Sequence, residues 1–156
     1  MLKTLVWLAV AVIGVVVIYF AALSVLSHRE RQSAGLLDGK LRPCPDTPNC
    51  VSSEAPRNSV SLIKPIGFAG DSGAAWNAFT RTVTESGGNI KQLTANYLWA
   101  IFETPLFRFV DDVEARLDAQ AGIIHIRSAS RVGRSDFGAN RQRIETIRHR
   151  FSALNG

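Results

Sequence analysis

An α+β fold, an antiparallel β-meander covered by two helices and preceded by one transmembrane helix, is predicted by three features of this sequence. The first is the segment from Val110 to Arg131, which folds back on itself in a single self-consistent hairpin register. The second is a pair of stretches flanking the strand-rich middle, whose apolar residues recur at helical spacing. The third is an uncharged run from Thr4 to Ser27, fenced by Lys3 and by His28-Arg29-Glu30-Arg31. Strands grouped between helices, rather than alternating with them, place the domain in the α+β class.

At about 1.5 Å rise per residue, residues 4–27 make roughly 36 Å of helix, against a bilayer core of roughly 30 Å. A cleavable signal peptide is the alternative, and Val25-Leu26-Ser27 offers small residues for cleavage. Its apolar region would run only about 7–15 residues, however, and Leu5 to Leu23 is longer. No cysteine near the end of the run provides a lipoprotein anchor. Trp7, Tyr19 and Phe20 lie near its two ends, as interfacial aromatics do. The expected organisation is an anchor over 4–27, a polar linker over 28–41 and one domain over 42–156.

Two signals oppose each other on orientation. Arg29, Arg31, Lys40 and Arg42 outnumber Lys3 and the α-amine, so the positive-inside rule would keep the domain in the cytoplasm. Cys44 and Cys50, the only two cysteines, are joined by a segment with Pro45 and Pro48, and Pro43 precedes it. Proline forces a tight, turning path that suits a small disulfide-closed loop, and such a bond needs an oxidising compartment. Free thiols are the alternative. Two thiols cannot complete a structural zinc site, so no metal and no cofactor are expected. The balance favours a domain on the periplasmic side of a bacterial inner membrane.

Residues 42–59 read as irregular. Val60 to Ile66 reads as a first strand, weakened by Pro65, and Gly67 to Gly73 as a loop. Ser72 is the expected N-cap of a helix whose buried stripe is Ala75, Trp76, Phe79 and Val83, and Gly87-Gly88 ends it. Ile90–Thr94 and Tyr97–Thr104 follow as strands. In the hairpin, a turn at residues 119–122 pairs Leu117 with Ile124, Ala115 with Ile126, Val113 with Ser128 and Asp111 with Ser130. The other face then pairs Arg116 with His125 and Glu114 with Arg127 as an exposed ion pair. A last helix is expected from an N-cap at Ser135-Asp136, with Phe137, Ile144, Ile147, Phe151 and Leu154 as its core stripe.

Three stretches carry a resemblance. They are Cys44-Pro45-Asp46-Thr47-Pro48-Asn49-Cys50-Val51-Ser52-Ser53, Phe107-Arg108-Phe109-Val110-Asp111-Asp112-Val113, and Arg127 to Gly133 followed by Ser135 to Arg141. In this order they resemble the bacterial and chloroplast family called domain of unknown function 1499. The resemblance implies one domain and an envelope or organellar setting. It implies no activity for any residue.

Between Arg127 and Arg150, seven arginines face only Asp136 and Glu145, a surplus equal to the formal net charge of +5. Arginine suits bidentate carboxylate or phosphate recognition. Arg127, Arg131, Arg134 and Arg141, beside the start of the last helix, are candidates for an anion site; a solvated basic face is the alternative. Asp111, Ser128, Ser130 and Asn140 form a second polar group on otherwise apolar faces, either a structural network or part of a site.

Asp111 and Asp112 point to opposite faces of a regular strand, and His125 lies away from Ser128 and Ser130, which disfavours acid–base pairs and serine nucleophiles. The apolar loop Thr104 to Phe109 is either a core edge, a cavity rim or a membrane-touching tip. The resulting expectation is a non-catalytic, membrane-anchored module that binds an anionic ligand or lipid headgroup. The alternatives are an enzyme using Asp111, Ser130 and Asn140 with Arg131 as clamp, and an accessory subunit of a membrane protein complex. No nucleic-acid-reading motif is present.

Overall fold

The computed structural model describes residues 2–29 and 34–155. Helix α1 (Leu2–Arg29) contains the apolar run and is long and apolar enough to cross a membrane. A short hairpin follows, β1 (Leu36–Leu37) and β2 (Lys40–Leu41), joined by Asp38 and Gly39 at φ 50° and 75°. An Asp-Gly pair with both φ positive is the two-residue turn that matches strand twist. This part of the expected linker therefore has structure of its own, and Leu41 is buried against the domain.

The main sheet has six strands. β3 (Cys50–Ser52), β8 (Ile123–Ser130), β7 (Val110–Asp118), β6 (Tyr97–Glu103) and β5 (Asn89–Leu93) lie side by side in that order. β4 (Ile66–Gly67) pairs with the far end of β8. All pairings are antiparallel, and the β7–β8 register is the predicted one at every pair from Asp111–Ser130 to Leu117–Ile124. The expected strand over 60–66 is displaced: residues 60 and 61 lie in a turn, Leu62 makes one parallel bridge to Ser52, and residues 63–65 have no regular structure. The strand at Cys50–Ser52 lies in a stretch expected to be irregular.

Two helices cover one face of the sheet. In α2 (Ser72–Glu85), Ala75, Trp76, Phe79 and Val83 are buried as expected. The N-cap is Asp71, one residue earlier than expected, and its carboxylate accepts from Ala74 N at 2.7 Å. α3 (Ala139–Asn155) buries Ile144, Ile147 and Phe151 against Leu98, Val113, Ile124 and Ile126. Asp136 does cap it, accepting from Gly138 N and Asn140 N.

Two members of the expected core stripe are not in the core. Phe137 is 99% exposed, because a left-handed turn at Phe137 and Gly138 precedes the helix and turns the ring outward. Leu154, near the helix end, is also exposed.

Candidate functional site

Three acidic residues on β7 organise the polar interior, and the pleat sends them to both faces of the sheet. Asp111 points toward α3, where Arg143 donates to its carboxylate. The same guanidinium donates to Asn140 Oδ1 at 2.7 Å and Ser128 Oγ at 3.1 Å, and lies 5.0 Å from the centre of the Phe102 ring. Asn140 is wholly buried. Its Nδ2 donates to Asn49 O and Ser130 Oγ, both at 2.9 Å, and its Oδ1 accepts from Ser128 Oγ. Both amide protons and both lone pairs are therefore used.

The opposite face carries the other two. Asp112 accepts a bidentate pair from Arg131 at 2.8 and 2.9 Å and a bond from Trp99 Nε1 at 2.8 Å. Glu114 accepts from Arg127 Nη1 at 2.9 Å, Tyr97 Oη at 2.7 Å and Gly35 N at 2.9 Å. Burial, and then the bond and charge of Glu114, push the Tyr97 hydroxyl well above its ordinary range. The Glu114–Arg127 pair has the expected partners, but it is buried beneath the N-terminal segment rather than exposed.

Further along this face Arg116 pairs with Glu54 at 2.6 Å, and Glu54 also accepts from Leu41 N at 2.7 Å. Ser53 Oγ lies 3.2 Å from His125 Nδ1, and Glu54 approaches the same nitrogen at 4.0 Å. A relay needs acid and hydroxyl on different ring nitrogens, so these three do not form a catalytic triad. Burial, and then the Arg116 charge, hold His125 below its ordinary value.

Of the residues singled out in the sequence, Asp111, Ser128, Ser130 and Asn140 come together, and Arg143 joins them. Arg143 reaches the cluster because it stands three residues after Asn140, on the same face of α3. Arg127, Arg131, Arg134 and Arg141 do not converge. The first two serve Glu114 and Asp112 on the opposite face, and Arg141 donates to the carbonyls of Val60 and Leu62. Arg134 is exposed, and among the described residues no side-chain partner meets it. Arg131 is likewise on the wrong side of the sheet to clamp anything at Asp111, Ser130 and Asn140. Among the described residues no group of three His, Cys, Asp or Glu side chains is placed to hold a metal ion. Cys44 and Cys50 form a disulfide.

A different arrangement occupies the end of the sheet where α1 meets it. Ser27 is wholly buried; its Oγ accepts from Val110 N at 3.2 Å and its carbonyl from Arg131 Nη1 at 3.3 Å. The loop 104–109 folds against α1, with Phe107 stacked on Phe20 at 4.9 Å and 26°. Thr104 closes the loop, its N–H donating to Phe109 O and its carbonyl accepting from Arg108 N. Leu106, at the tip, is 82% exposed. The start of α3 lies alongside, since Pro105 and Ala139 line one pocket. The segment between the end of β8 and the start of α3, which carries Arg134 and Phe137, begins at this end, where Arg131 meets Ser27.

Residues 40–151 match the family described as "Protein of unknown function (DUF1499)", and the chain belongs to that family. No curated protein matches the chain.

Proposed function

From membership of a family that carries no described activity, we propose that this chain is a single-pass protein of a bacterial inner membrane. Its α+β domain stands on the periplasmic side and acts as a non-catalytic module that engages anionic lipid headgroups. The observation that carries this reading is the contact of Phe107 with Phe20. A loop ring stacked on an aromatic inside the apolar helix lies at membrane depth whenever that helix is in the membrane. Exposed Leu106 and Phe137 then face the interface together with Arg134 and Arg29, the pairing of apolar anchors and cations that anionic surfaces favour.

Two further facts support the parts of the reading. Ser27 is built into the domain, which favours a retained anchor over a cleaved leader. The Cys44–Cys50 bond favours an oxidising compartment. The accessory-subunit reading draws on Phe137, whose ring is held in solvent by an αL turn, as a partner contact would be.

Hydrogen exchange on the full-length protein in lipid nanodiscs tests the proposal. Loops 104–109 and 131–138 gain protection when a zwitterionic bilayer is replaced by one containing anionic lipid. Equal exchange in both bilayers would overturn it.

A further inference from the structure

Between the last turns of α1 and loop 104–109 lies a crevice of about 720 Å³. Its walls divide by chemistry. Ala21, Val25, Leu106 and Phe107 line one part, and His28, Arg29 and Arg108 stand at the other. We propose that this crevice binds one phospholipid with a net negative headgroup, its phosphate among the cations and its upper acyl chain against the apolar wall. The inference rests on the reading that α1 remains in the membrane.

Position and charge both argue for it. Ala21 and Arg29 are eight residues apart, about 12 Å along the helix. That distance takes the crevice from the upper acyl region to the headgroup level of a bilayer. Arg108 is held on the rim by the loop, at φ 53°, with its side chain 72% exposed. Glu103 pairs with Arg108 at 2.8 Å and approaches His28 at 3.9 Å, so it offsets one of the two guanidinium charges. One guanidinium charge then remains, matching the single negative charge of a phosphodiester. An apolar wall continuous with a transmembrane helix excludes a free inorganic anion as the better occupant, since that would leave Leu106 and Phe107 facing water.

The experiment is native mass spectrometry of the full-length protein in detergent, titrated with phosphatidylglycerol or phosphatidylcholine. One phosphatidylglycerol is retained, and R29Q combined with R108Q weakens its retention about thirtyfold, from roughly fivefold per basic residue. F107A weakens it as well, whereas K3Q, at the opposite end of α1, leaves it unchanged. Thermal unfolding of each variant confirms a folded domain. Equal retention of the two lipids, or no loss in the double variant, would overturn the crevice. Loop protection in anionic nanodiscs that survives such a result would leave the broader reading standing. A retained lipid without loop protection would remove the broader reading and keep the crevice.

Discussion

Glu114 is wholly buried and holds three donors at once, from Arg127, Tyr97 and Gly35. Removing one partner of a buried ion pair leaves an uncompensated charge, which costs about 3–5 kcal/mol. Glu114→Ala should therefore lower unfolding stability by that amount, read by urea titration in detergent with Trp99 and Trp76 fluorescence. Glu103→Ala, which removes the exposed partner of Arg108, should cost at most about 1 kcal/mol. Comparable losses in both would show that burial does not set the strength of these pairs. Two neighbours on the same face give a pH dependence. Burial alone would raise the Glu54 carboxyl, but bonds from Arg116 and Leu41 N, with the Arg116 charge, bring it below its ordinary 4.5. Burial and Arg116 also hold His125 below its ordinary 6.5, against the opposing pull of Glu54 and Asp118. Both groups bind protons more readily when the chain unfolds, so both give stability at neutral pH that is lost as pH falls. The loss from His125 begins near 6.5 and that from Glu54 near 4.5. Thermal midpoints followed down in pH should decline in two stages, and His125→Gln should flatten the first. A midpoint that rises on acidification to pH 5 would contradict the assigned signs.

The turn that follows α2 shows how one position can fix an element's end. A Cβ on Gly88 would meet Val83 Cγ1 at 2.7 Å, Val83 O at 2.8 Å and Phe102 Cζ at 2.9 Å. Two of these atoms are buried side chains and the third is backbone, so none yields easily, and overpacking of this kind costs about 1–3 kcal/mol. Gly88→Ala should show that loss by thermal unfolding. Gly67→Ala, where the space is open, should stay within about 0.5 kcal/mol. Equal effects would mean that α2 and β6 can move apart. The same scale explains what could be read from the sequence. The β7–β8 hairpin was legible because strict alternation and the facing charges of Glu114 and Arg127 agree on one register. Helices α2 and α3 were legible from their stripes. Strands β1 to β4 are two or three residues long, shorter than any periodic pattern, and they form because β8 and the N-terminal segment offer partners. Helical spacing assigns Phe137 to the core because it is blind to a positive φ two residues before the helix. In the polar cluster Asp111, Ser128, Ser130 and Asn140 stood out as polar groups on apolar faces. Arg143 did not, because seven arginines in one stretch look alike until the fold assigns each a partner.

The position of the whole molecule relative to the membrane is where the sequence signals conflict, and the fold weakens one of them. The positive-inside rule counts basic residues near the ends of a transmembrane helix. Lys40 belongs to the β1–β2 hairpin lying against the sheet, and Arg42 is partly buried with its Nε enclosed, so neither acts as a loose juxtamembrane charge. Residue 31 lies outside the described residues. Arg29 and Arg31 then stand against Lys3 and the α-amine, a near balance that sets no strong orientation. The cysteines become the stronger signal. Their loop fixes Asn49, whose carbonyl accepts from Asn140 Nδ2 and from Ser130 N, so the bond braces the polar cluster as well as closing a turn. A chain-entropy estimate for so short a loop is about 2 kcal/mol, enough to matter to a single small domain. Export of the domain is therefore the expected topology. C-terminal fusions to alkaline phosphatase should be active, and those to a fluorescent protein that folds only in the cytoplasm should be dark. Intact protein from membranes, alkylated before and after reduction, should take up two labels only after reduction. A dark phosphatase fusion together with two thiols open before reduction would place the domain in the cytoplasm. It would also return the weight to Arg29 and Arg31 as the residues that decide the orientation.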